Sequence, residues 1–300
     1  MSGVYPRLIF MKVLIAVNAY IKNKSQISQA ERIAEELYNL GATPVTEKNF
    51  NLARVEGNKI SAANYDFCVF LDKDRVAARL LEGRGMRLFN SASAIEVCDD
   101  KMLTFAALAN AGFNLPDSLY APLCYHPESE INEQFLREVA EKLGFPLVAK
   151  TNYGSLGAGV NLIKDFGGLK EYERKNLTLP HFYQQFIDCG GGIDTRVIVI
   201  GGEAVCAMKR QNGSDFRSNI EQGGRGEKCA LTDGLSKLCS GVARRLGLDY
   251  CGVDVLTDRQ GRNYICEVNS NAFFATAERV CGVNVARAYA EHMLKTYKGE

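Results

Sequence analysis

Asp254 and Glu267 are acids set in two runs that otherwise read as buried strands, "CGVDVL" and "NYICEVN". An isolated carboxylate taken out of water is very costly, so each must be hydrated, paired or bound to a cation. Side chains alternate along a strand, which puts Glu267 and Asn269 on one face. The intervening "TDRQGR" is short enough for a hairpin and would bring Asp254 across from Glu267. Two carboxylates and an amide oxygen form a hard, oxygen-only set suited to Mg2+ shared with substrate phosphates. A buried acid paired with arginine is the competing reading, and spacing leaves the two open. Cys266 falls on the opposite face by the same alternation and is expected to be a core thiol.

Two other stretches carry chemistry. In "AKTNYGSLGAGVNLIK", residues 149–164, Lys150 ends one strand, and Gly154, Gly157 and Gly159 fill a loop before the next. Glycines let backbone N–H groups turn toward an anion with no Cβ in the way, so a phosphate is the natural guest. The pattern is not a P-loop, which needs GxxxxGK[ST] opening a helix. A plain flexible hairpin is the alternative. The stretch "KRQNGSDFRSN", residues 209–219, groups Lys209, Arg210 and Arg217 with Asn219 at its end. It reads either as a solvated charged loop or as a cationic clamp on phosphate and on charge developing in phosphoryl transfer.

The elements that must position these residues alternate along the chain. "KVLIAV" (12–17) is an apolar run of the kind buried on both faces of a parallel sheet. A helix follows in "SQAERIAEELYNLG", with Ser28 and Glu31 in capping-box spacing. "DFCVFL" and "MRLF" are further strands with "DRVAARLLEG" helical between them, which argues for an open parallel α/β domain over residues ~11–90. Its first turn, Asn18–Tyr20, has no GxGxxG, so a dinucleotide site there is not expected. Ser93 and Glu96 make a second capping box, and Asp99 or Asp100 restarts a helix with Leu103, Ala107 and Ala111 on one face. From residue 180 the pattern is mostly β: "FYQQFI", "TRVIVI", "EAVCAMKR", "CGVDVL" and "NYICEVN". Gly201–Gly202 turns one hairpin, and helices lie in "LSKLCSGVARRLG" and from about Asn284.

Composition bounds the rest. A net charge of +1 and no charged tail make nucleic acid a poor expectation. Ten cysteines without a CxxC pair and only three histidines argue against zinc and for a reducing, cytoplasmic setting. No apolar stretch reaches the roughly 18–20 residues of a membrane span. Residues 1–10 lack a signal peptide's basic region and apolar core, and read as a tag remnant or upstream start before Met11.

Five segments in order carry a family resemblance: "NSASAIEVCDDKMLTFAALANAG", "FPLVAKTNYGSLGAGV", "DTRVIVIGGEAVCAMKRQNGSDFRSN", "LGLDYCGVDVL" and "CEVNSN". Together they resemble the RimK-like branch of the ATP-grasp carboxylate–amine ligases over residues ~88–290. The resemblance implies an α/β, ATP-grasp fold: an N-terminal open parallel α/β domain (1–93), a central lid domain (94–186) and a C-terminal antiparallel-sheet domain with the metal site (187–300). It implies that Lys101 and Lys150 contact ATP phosphates and that the loop Gly154, Ser155, Leu156, Gly157 to Gly159 closes as a lid. Gln185, Phe186 and Ile187 form the adenine hinge, with Asp194 near the ribose. Arg217 and Asn219 approach the triphosphate, and Arg210 stabilises the transferring phosphoryl group. Asp254, Glu267 and Asn269 hold two Mg2+, with Mn2+ as the alternative.

The chain departs from the family's usual wording twice. Gln185 stands where the hinge commonly begins with glutamate; its amide oxygen still accepts the adenine amino hydrogen, which favours ATP over GTP. A Ser-Pro-Gly turn commonly follows "EVN", whereas Ser270-Asn271-Ala272-Phe273-Phe274 stands here, beside the acceptor pocket. The implied activity is ATP- and Mg-dependent joining of a carboxylate to an amine through an acylphosphate. The expected product carries glutamate or another amino acid on a peptide, carrier protein or small metabolite, with no membrane partner and a homo-oligomer among the expectations. Two rivals are an ATP-grasp protein that binds nucleotide for regulation and a nicotinamide oxidoreductase; the missing glycine fingerprint disfavours the latter.

Overall fold

In a computed structural model of the chain, residues 11–300 are described except 156, 214 and 219–224. The first layer is a parallel sheet. β1 (Lys12–Val17), α1 (Lys24–Asn39), β2 (Thr43–Lys48), the small hairpin β3 (Ala53–Glu56) and β4 (Lys59–Ala62), β5 (Phe67–Leu71), α2 (Arg75–Gly83) and β6 (Arg87–Phe89) follow in order. The strands order as β2-β1-β5-β6, all parallel, and β1 and β5 are apolar because helices cover both faces.

Helices α3 (Ala92–Asp99) and α4 (Lys101–Leu108) lead through β7 (Ser118–Tyr120) into α5 (Glu133–Leu143), β8 (Leu147–Thr151), β9 (Val160–Ile163), α6 (Phe166–Asn176) and β10 (His181–Gln185). These strands form an antiparallel sheet ordered β7-β10-β8-β9. The glycine loop joins β8 to β9 at its edge.

The third sheet, β13-β12-β11-β14-β15, is antiparallel. It is built from β11 (Ile193–Ile200), β12 (Glu203–Gln211), β13 (Arg225–Lys228), α7 (Asp233–Leu246), β14 (Tyr250–Thr257) and β15 (Asn263–Asn269). Helices α8 (Ala275–Cys281) and α9 (Val285–Lys298) close the chain. They bury Tyr289, Met293 and Ala277 against Ile198 and Met208 of this sheet and against Val13, Ile15 and Phe67 of the first. One apolar core therefore fixes the first and third sheets to each other. Helices α3 and α4 share a second core with α7 and the third sheet.

Local chemistry moves two helix starts from the expected residues. Asn23 rather than Ser28 caps α1, its side chain accepting from Ser25 N at 2.8 Å. Ser91 rather than Ser93 caps α3. Asp100 caps α4, accepting from Met102 and Leu103 N–H groups at 2.9 and 3.0 Å. That cap makes the buried face Lys101, Thr104, Phe105 and Leu108, so Leu103 is exposed, contrary to the expected stripe. Helices α6 and α8 carry weak sequence patterns and were not anticipated. Among the described residues no helix is long and apolar enough to cross a membrane.

Candidate functional site

One cleft between the second and third sheets gathers Lys101, Lys150, Gly154, Ser155, Gly157, the expected hinge Gln185–Ile187, Asp194, Arg210, Arg217, Asp254 and Glu267. Leu156 and Asn219 lie outside the described residues. Lys150 reaches the cleft from β8, and its ammonium donates to Gln184 Oε1 on β10 at 2.7 Å. Gln184 in turn donates to Ser118 Oγ at 2.9 Å, so the buried lysine is aimed by a buried amide. Lys101, in the first turn of α4, donates to the Gly154 carbonyl at 2.8 Å and lies 3.6 Å from Glu267 Oε1. Burial pulls its pKa below the ordinary lysine value, opposed by the Glu267 carboxylate.

The floor is a lattice of alternating charge. Cross-strand register sets Asp194 opposite Arg210 and Arg196 opposite Asp254. Arg196 grips Asp254 through Nε and Nη2, both at 2.7 Å. Arg210 forks onto Asp194 and also places Nη2 2.9 Å from Asp254 Oδ2. Burial works to raise the Asp254 pKa, but the two guanidinium groups outweigh it and hold the carboxyl below its usual value. For Asp194 burial prevails and the pKa rises. The arginine reading of Asp254, left open by spacing, thus holds in this structure.

β14 and β15 form the expected hairpin, with Asp254 opposite Glu267. The register then slips: Val255 faces Ile265, and Cys266 is the extra residue. Such a bulge breaks the two-residue alternation. Cys266 therefore lines the cleft beside Glu267, its Sγ 4.0 Å from Lys150 Nζ, and the core position expected from strict alternation is corrected. Burial pushes its thiol up to about 11.

The glycine loop has the backbone the sequence requires. Gly154, Gly157 and Gly159 have φ of 131°, 75° and 75°. A Cβ on Gly159 would sit 2.1 Å from Thr151 Oγ1, so no larger residue fits without rebuilding the turn. Arg217 donates to the Gly157 carbonyl at 2.9 Å and ties the loop to the third sheet. In the expected hinge, Gln185 N donates to the Asp117 carbonyl at 2.8 Å, while Phe186 and Ile187 border the cleft.

A second pocket opens on the far side of Glu267, between the third sheet and the loops of the first. Glu267 and Ser155 line both pockets; Asn269 lines only the second. The residues present fit a nucleotide and a magnesium ion. Two buried lysines line one cleft with the glycine loop, and Lys101 bonds that loop directly. Among the described residues no three His, Cys, Asp or Glu side chains are placed to hold a metal ion together, so a cation here would rest on two carboxylates and an amide. Magnesium takes few protein ligands and completes its shell with phosphate oxygens and water, which suits so sparse a set.

Sequence reasoning missed Gln184 and Arg196. Arg196 was within reach: it lies two residues after Asp194, on the same strand face, in a sheet whose opposing strand carries Asp254. Gln184 lacked any local signal, because its partners Lys150 and Ser118 are 34 and 66 residues away.

The model for the RimK-like ATP-grasp domain matches residues 98–293. The chain is 33% identical over 225 residues to beta-citrylglutamate synthase B of Danio rerio, covering 74% of this chain and 54% of that one. N-acetylaspartylglutamate synthase A of Homo sapiens is 32% identical over 225 residues, 74% of this chain and 56% of the synthase. The chain thus spans about half the length of these two relatives. The RimK domain ATP-grasp protein of Sphaerobacter thermophilus has a TM-score of 0.71 at 20% identity, covering 94% of this chain and 99% of that one. The ATP-grasp ligase PsnB, crystallised with a minimal precursor variant, Mg and ADP, has a TM-score of 0.69 at 17% identity over 96% and 99%. At these identities the solved structures establish the ATP-grasp fold. The match to the family model and the two synthases make this chain a member of the RimK-like ATP-grasp ligase family.

Proposed function

We propose that the protein joins a carboxylate to an amine at the expense of ATP, through an acylphosphate, and that the amine is glutamate or another amino acid. The observation that carries this reading is the position of Glu267, whose side chain borders both the nucleotide cleft and the second pocket. A phosphoryl group leaving one and a carboxylate waiting in the other would meet there.

In this mechanism the acid's carboxylate oxygen attacks the γ-phosphorus, the bond to the β-phosphate oxygen breaks, and ADP leaves. The amine lone pair then attacks the acyl carbon, inorganic phosphate leaves, and the ammonium proton is lost as the amide forms. Lys101 and Lys150 hold the triphosphate, and Gln184 fixes the Lys150 ammonium. Gln185, Phe186 and Ile187 receive the adenine, with Asp194 toward the ribose. Arg210 faces the charge that develops on the transferring group. The loop through Gly154 and Gly157, drawn in by Lys101 and Arg217, excludes the water that would hydrolyse the intermediate. Asp254, Glu267 and Asn269 would hold Mg2+, which offsets charge on the phosphates when bound.

The test is a matrix of acids and amino acids scored for ADP release and for amide mass. Turnover requiring an acid, an amine and Mg2+ together supports the reading. Tight ATP binding with no acid-dependent turnover from any pair would favour a nucleotide-binding regulator instead.

A further inference from the structure

We propose that the second pocket takes a peptide-like acid whose one charge is the reacting carboxylate, an N-acylated or peptidyl amino acid with an apolar side chain, in preference to a di- or tricarboxylate. This rests on the ligase reading, since it names the acid that reading requires.

The charges around the pocket are nearly all committed. Arg196 places Nε and Nη2 on Asp254, and its Nη1 has no hydrogen-bond partner among the described residues. Lys73 is 3.2 Å from Asp99. Lys101 lies beside Glu267. On the wall formed by the first sheet stands an anion, Asp72, held by Asn18 at 3.2 and 3.3 Å and by Asn49 at 2.6 Å. One carboxylate fits against the free edge of Arg196. A second would face Asp72 or neutral amides, and an unpaired charge in a partly closed pocket is costly.

The remaining lining suits a neutral body. Asn18 and Asn23 present carboxamides already bonded to Asp72, Tyr20 N and Ser25 N, whereas Asn271 Oδ1 has no donor among the described residues and matches an amide N–H of an acylated or peptidyl chain. Beside them lie Tyr20, which is 87% exposed, Ile21 and Phe273. The two adjacent phenylalanines divide the work. Phe274 is fully buried against Tyr250, whereas Phe273 joins none of the four buried clusters and leaves its ring to the pocket.

N-acetylphenylalanine, N-acetylleucine, N-acetylaspartate and citrate distinguish the two classes of acid. Each is tested with ATP, Mg2+ and a mixture of the amino acids, and each is also titrated calorimetrically with a non-hydrolysable ATP analogue and Mg2+ present. The two apolar acids should exceed the polyacids by roughly ten-fold or more in kcat/KM and in affinity. Phe273→Ala and Tyr20→Ser should each erase much of that advantage, with KM for the apolar acids rising more than for the polyacids. Tyr20 is a surface residue, so its substitution leaves folding out of the question. Preferred polyacids, equal affinity for all four, no binding of any, or a preference untouched by both variants would overturn the pocket's assignment. An apolar preference in binding with no amide formed would leave the assignment standing and overturn the ligase reading.

Discussion

The nucleotide cleft and the second pocket meet at Glu267 yet are built in opposite ways. The cleft is made of charges braced by buried partners: Lys150 on the Gln184 amide, Arg210 on Asp194 and Asp254, Lys101 beside Glu267. Most of these groups are buried on neighbouring strands of one sheet or the next, so their register is set by backbone pairing. The second pocket is assembled mainly from loop residues around two sheets, with amides and the rings of Tyr20 and Phe273 among them and Arg196 at its edge. The difference teaches where invariant chemistry and selectivity can reside. A phosphoryl-transfer site needs preorganised charge and tolerates little change, whereas loop-borne neutral contacts can be altered one at a time at small cost to folding.

The sharpest way to break that comparison is Glu267→Gln, which removes a charge shared by both pockets. Turnover should fall by about 10²–10³-fold, the scale of losing one preorganised electrostatic contact. Thermal unfolding should barely move, because Glu267 packs no core. A variant that retained full activity would remove Glu267 from the site. Next in size is Arg196→Ala, which leaves the buried Asp254 with one guanidinium instead of two. A loss of about 3 kcal/mol, measured by denaturant unfolding, is expected for breaking a buried pair. Asn271→Ala, in the second pocket, should stay within about 0.5 kcal/mol. Equal losses in the two variants would abolish the contrast between braced and unbraced regions.

A finer test concerns Gln184→Ala. The Lys150 ammonium would lose the acceptor that aims it, costing about 1.5–3 kcal/mol for a hydrogen bond to a charged group. Calorimetry should show ATP affinity lowered by roughly ten-fold or more, with acid affinity unchanged. The smallest effect is read at Cys266. Its thiol, pushed up to about 11, is almost wholly protonated at pH 8. Alkylation by iodoacetamide should therefore be slow there and rise about ten-fold per pH unit until the thiolate predominates. ATP, occupying the same cleft, should slow it further; an unprotected Cys266 would place the nucleotide elsewhere.

Much of the cleft was legible because its residues sit in short, self-declaring runs. The acids in "CGVDVL" and "NYICEVN" violate their own strands, and three glycines in "NYGSLGAG" demand positive φ. Hairpin length alone brought Asp254 to Glu267. What stayed hidden has a common cause: it depends on partners far along the chain or on a local irregularity. The bulge at Cys266 has no signature in sequence, and one extra residue was enough to turn that thiol from the core into the cleft. The second pocket draws on residues from Asn18 to Phe273, so no stretch of sequence announces it. Two helix starts were displaced for a subtler reason: Asn23 and Ser91 compete with Ser28 and Ser93, and the cap is decided by the entering backbone.

The central claim is that an acid is activated as its phosphate anhydride before the amine attacks. An acid that supports turnover, labelled with 18O in its carboxylate, tests this directly by mass spectrometry of the released phosphate. One 18O per phosphate, with ADP as the nucleotide product, is the predicted result. Unlabelled phosphate, or AMP and pyrophosphate in place of ADP and phosphate, would contradict it.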